Sequence, residues 1–76
     1  MKTFNVKLST FDDVKQFVSI ATMFDGDVDL KSGRYLVDAK SIMGIFSLDL
    51  MKPIEVTVHS DNCDDFVKSV EKFVVE

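Results

Sequence analysis

The chain has one cysteine, one proline, one histidine, three glycines and no tryptophan among its 76 residues. Each scarcity removes a class of protein. A lone cysteine, Cys63, closes no intramolecular disulfide, so the framework of small secreted scaffolds is absent and a cytoplasmic setting is expected. His, Cys, Asp and Glu form no metal cluster in the sequence, no catalytic triad is visible, and three scattered glycines make no phosphate-cradling loop. No cofactor is expected. No stretch approaches the ~20 apolar residues of a membrane span. The start, Met1-Lys2-Thr3-Phe4-Asn5-Val6-Lys7, alternates in character and does not read as a signal peptide. Basic residues are also few, nine against thirteen acidic ones, giving a net charge of −4. They form no stripe, so nucleic acid and anionic membrane surfaces are excluded as partners on Coulomb grounds. No small-molecule substrate is evident.

What remains is rich in core material. Hydrophobic residues make up 46% of the chain and seven of them are Phe, a composition that is globular and not disordered. A chain this short buries only about 60% of its unfolded surface, so residues 1–76 are expected to form a single domain.

Phe4, Val6 and Leu8 alternate with polar residues, the period of a strand with one buried face. Ser9 and Thr10 then offer helix caps, with Asp12 and Asp13 behind them. Val14, Phe17, Val18, Ala21 and Phe24 form one apolar helical stripe, which Asp25-Gly26 ends. Val28 and Leu30 begin a second strand; Lys31-Ser32-Gly33-Arg34 turns it into a partner over Tyr35–Ala39. Ser41 caps a short helix running to about Leu48, and Lys52-Pro53 breaks the chain before Ile54, Val56 and Val58. A last helix follows, entered by Asp64 and Asp65 and carrying Phe66, Val67, Val70, Phe73 and Val74 on one face. The order is βαββαβα. Strands with one apolar face need helices over that face. The expected fold is α+β: an open-faced two-layer sandwich with a four-stranded antiparallel sheet and helices on one side.

Lys40-Ser41-Ile42-Met43-Gly44, followed by Ile45-Phe46-Ser47-Leu48, resembles the regulatory-serine region of HPr, the small phosphocarrier family of the bacterial sugar phosphotransferase system. Ala21-Thr22-Met23-Phe24 with the Val28–Leu30 strand, Val37-Asp38-Ala39 before the serine, and Asp64-Asp65 at the last helix extend the similarity over essentially the whole chain. The family's open-faced β-sandwich agrees with the fold reached from periodicity.

The resemblance also implies a loss. Family members carry phosphate on a histidine between the first strand and first helix, followed by alanine, arginine and proline. Counting back from Ala21 and Phe24 without gaps puts Thr10 at the histidine position, and Phe11, Asp12 and Asp13 at the next three. None matches. Two like charges at ~5 Å repel by roughly 3 kcal/mol at an effective dielectric near 20, so the acid pair would oppose an incoming phosphoryl group. Thr10 is a weak nucleophile without a base. Asp49-Leu50-Met51-Lys52-Pro53 also lacks the glycines the family places there.

The implied function is a non-catalytic, regulatory or protein-binding module related to that system, similar to the family's catabolite-repression HPr-like variant, which keeps the serine and lacks the histidine. Alternatives are a phosphocarrier with a non-standard acceptor (Ser9, Thr10 or His59) and an HPr-fold domain recruited to an unrelated partner. The resemblance makes Ser41 a candidate for regulatory phosphorylation, against the plain reading of a helix cap worth about 1 kcal/mol. It makes Ile42, Met43 and Phe46 a candidate protein-binding surface, with Ile45 and Leu48 inward. The partners it implies are a serine kinase or a transcriptional regulator. His59 is expected on the solvent face of its strand. Asp25-Gly26-Asp27-Val28-Asp29 fails as a calcium loop at Leu30 and Leu36, where the template needs Gly and Glu.

Overall fold

A computed structural model describes residues 1–75. The elements follow the order β1 (Lys2–Val6), α1 (Phe11–Met23), β2 (Val28–Ser32), β3 (Tyr35–Asp38), α2 (Ile42–Phe46), β4 (Ile54–Val58), α3 (Asp64–Ser69), a 3₁₀ turn (Glu71–Phe73) and β5 (Val74–Val75). The sheet order is β3-β2-β4-β1-β5, with every neighbouring pair antiparallel.

Alternation sets the faces. Val6, Val28, Leu30, Ile54, Val56 and Val58 are buried and join Val14, Phe17 and Ala21 of α1, Ile45 of α2 and Phe66 of α3 in one cluster. Their strand neighbours Thr3, Asn5, Lys31 and Glu55 are exposed. The helices therefore cover one face and leave the other open, the α+β HPr-like arrangement expected from the sequence.

Phe17 is the hub of the helical layer. Its ring meets Phe66 edge-on at 6.2 Å and Phe73 at 6.1 Å between centroids. Aromatic rings prefer such T-shaped contacts because the positive edge of one meets the negative face of the other. Phe24 leaves the helix at its C-cap (ψ 134°) but keeps its ring 4.9 Å from Phe66. Gly26 follows because a Cβ there would stand 2.7 Å from the Phe24 ring. Gly33 serves differently. With φ +59° it takes the first place of the two-residue loop between Ser32 and Tyr35, which suits a type II′ hairpin.

Two boundaries differ from the sequence reading. The short helix stops at Phe46; Ser47 and Leu48 continue it only through i→i−3 bonds to Gly44 and Ile45. The last helix does not run to Val74. It tightens into a 3₁₀ turn, and Val74 and Val75 add a short fifth strand opposite Val6 and Asn5 of β1. Lys7 N–H donates to Phe73 O at 2.9 Å, so edge pairing with β1 competes with helix continuation for these backbone groups and wins.

Candidate functional site

Thr10 is the N-cap of α1, extended at φ −127° and ψ 164°. Its Oγ1 accepts from Asp13 N–H at 3.1 Å, and Asp13 Oδ2 accepts in return from Thr10 N–H at 3.3 Å and Ser9 N–H at 3.1 Å. This capping box satisfies backbone donors that a helix start otherwise presents to an anion. The Asp13 carboxylate sits where an incoming anion would seek those donors, and Asp12 adds a second negative charge in the same turn. The sequence marks Asp13 as a charge at the helix start; its reciprocal bonds to Ser9 and Thr10 emerge only from the backbone geometry.

Ser41 is the N-cap of α2, with its Oγ accepting from Gly44 N–H at 3.2 Å and its side chain at the surface. Gly44 belongs to the same arrangement. A Cβ there would lie 3.0 Å from Ser41 Oγ and 3.3 Å from Val37 Cβ, so the bare backbone lets α2 sit close to β3. The helix then presents Met43 to solvent (76% exposed) and Phe46 partly so (39%), while Ile42 packs half-buried on the core and Ile45 and Leu48 point inward.

Phe11 was not singled out as a surface residue by the sequence. It is 59% exposed, and its ring stacks on Phe46 with centroids 5.3 Å apart and planes 11° from parallel. Lys15 Nζ lies 5.4 Å from the Phe11 centroid, in cation–π range. A large aromatic beside the N-cap, three residues before Val14, was the available signal; its partner in another helix could not be read from spacing. The stack joins the start of α1 to α2, so Thr10 and the Met43–Phe46 face border one exposed apolar patch.

The remaining candidates lie apart. His59 is exposed at the end of β4, with Nε2 2.8 Å from Asp29 Oδ2. Asp29 belongs to the sheet face turned away from the helices, so the only imidazole stands on the far side from Thr10. Asp27 O accepts the His59 N–H, which makes the acidic segment a strand entry. Among the described residues no group of three or more His, Cys, Asp and Glu could hold a metal ion. Cys63 is buried at the N-cap of α3 and makes no side-chain cap bond. No helix among the described residues is long and apolar enough to cross a membrane.

The family model described as the phosphorylation site of the HPr component of the phosphotransferase system matches residues 13–76. The chain belongs to the HPr family. The match takes in Ser41, α2 and the last helix, and it begins after Thr10. Solved HPr structures are similar throughout. HPr-C-His from Thermoanaerobacter tengcongensis shares 23% identity at a TM-score of 0.79, covering 95% of this chain and 89% of that one. Phosphocarrier protein HPr from Bacillus anthracis shares 26% identity at a TM-score of 0.73, covering 97% and 94%. HPr proteins act with other proteins of the phosphotransferase system.

Proposed function

We propose that this chain is a non-catalytic HPr protein that works in the cytoplasm by binding another protein, and that it carries no phosphate at the start of α1. The observation that supports this reading is the capping box. Thr10 stands where the ungapped register puts the family's phosphoacceptor histidine, and its backbone donor is engaged by Asp13. A phosphoryl group would have to displace that carboxylate and approach Asp12 as well, in a site where, among the described residues, no base is hydrogen-bonded to the Thr10 hydroxyl. Met43, Phe46 and Phe11, with half-buried Ile42 behind them, offer the apolar surface for the partner, a serine kinase or a transcriptional regulator on the family pattern.

The test is incubation with Enzyme I and labelled phosphoenolpyruvate. No acid-labile phosphate should be taken up. His59 gives a second reading some support, because an exposed imidazole held by a carboxylate, here Asp29, has the form of a reactive histidine. Stoichiometric labelling that disappears in His59→Ala would establish that reading and overturn the first.

A further inference from the structure

The β2–β3 hairpin and the loop between α2 and β4 meet in an open cleft of about 450 Å³ that the surface described above does not use. We propose that this cleft binds a small dianionic molecule of the phosphate-monoester or diphosphate class, held between Arg34 and Lys52.

Arg34 is the only arginine in the chain and stands at the hairpin tip; Lys52 comes from the far loop, and both line the cleft. A guanidinium presents a planar fork of donors that matches an oxyanion, and an ammonium adds a compact point charge. Among the described residues neither has an ion-pair or side-chain hydrogen-bond partner, so an anion need displace no carboxylate from them. Ser32 and Tyr35 add hydroxyl donors to the lining. Ser47 does not, because its hydroxyl donates to Met43 O at 3.2 Å. At Gly33 no atom lies within 4 Å of where a Cβ would stand, which leaves the turn backbone open to a ligand. Since the molecule carries a net charge of −4, its overall field repels anions, and attraction depends on this local pair.

Asp49 is the one carboxylate on the lining among the described residues, and its charge opposes a bound anion. Its Oδ1 accepts from Met51 N–H at 3.1 Å, fixing the charge in the loop. Asp49→Asn keeps an oxygen for that bond and removes the repulsion.

The experiment is a pyrophosphate titration of the ¹⁵N-labelled intact chain at low ionic strength, followed by amide shifts. Saturable changes should centre on Gly33, Arg34 and Lys52. Affinity should weaken about tenfold in Arg34→Gln and in Lys52→Gln, strengthen in Asp49→Asn, and fall as salt is added. Unchanged spectra away from the cleft show that the variants are folded. Shifts that do not saturate, that spread over the lysines of the whole chain, or that persist unaltered in both glutamine variants would overturn the proposal.

Discussion

A serine at a helix N-cap has two properties at once. Ser41 Oγ accepts the Gly44 N–H and so holds the first turn of a five-residue helix, yet the side chain remains at the surface. A phosphate on that oxygen would meet the positive end of the helix and bring nearly two negative charges beside Met43 and Phe46. It would therefore alter the choice of partner more than the stability of the fold. An HPr-type serine kinase should label the protein, with mass spectrometry placing the phosphate on Ser41 and Ser41→Ala taking up none. The same substitution should cost about 1 kcal/mol in denaturant unfolding by removing the cap. Equal incorporation in the alanine variant would reduce Ser41 to a cap alone. Thr10 and Asp13 show what a sequence tells well at this scale. Their bonds connect residues three apart, so residue type and spacing mark the helix start. The reciprocal bonds to Ser9 and Thr10 needed the backbone geometry, because an acidic residue there serves equally as a free charge or as a cap.

Between elements, legibility follows the distance along the chain. The helical stripe of α1 and the alternation of β1, β2 and β4 were plain, because each face is written within a dozen residues. The layered fold followed from them. The end of the last helix was not plain. Val70, Phe73 and Val74 keep helical spacing, but the Val74–Val75 backbone finds partners on β1, and tertiary pairing overrides the local pattern. The meeting of α1 and α2 was invisible for the same reason, since Phe11 and Phe46 are joined only by the fold. That contact has a measurable energy. Stacked aromatic pairs contribute about 0.5–1.5 kcal/mol beyond their area, and partial exposure puts this pair at the lower end. A double-mutant cycle of Phe11→Ala and Phe46→Ala should thus give a coupling of about 0.5 kcal/mol in thermal or chemical unfolding. Additive effects would mean that the two rings do not stack in solution. Candidate-site residues were legible where the serine motif marks them, as with Ser41 and Met43, and illegible where they depend on what faces them, as with Phe11.

For the whole molecule, the margin is set by how much one small core can bury. Two layers leave the outer face of the sheet to water, so nearly all the apolar burial lies between helices and sheet. The C-terminal segment closes that space in three ways together: Phe66 and Phe73 meet Phe17, Lys7 N–H donates to Phe73 O, and β5 pairs with β1. Lys72 adds a polar tie to Gln16 of α1. Phe73 is the residue common to the packing and the backbone closure. Phe73→Ala removes a buried ring and leaves a cavity against Phe17, which costs about 3–5 kcal/mol in comparable cores. Domains are stable by only about 5–15 kcal/mol, and one of this size sits toward the low end. The variant should then unfold at much lower denaturant, with the slope of its transition unchanged if unfolding stays two-state. The backbone bond from Lys7 survives the substitution, so the loss reports packing and not strand pairing. A variant that melts like the parent would mean that Phe73 does not close the core, and the 3₁₀ turn would have no packing role in holding the sheet.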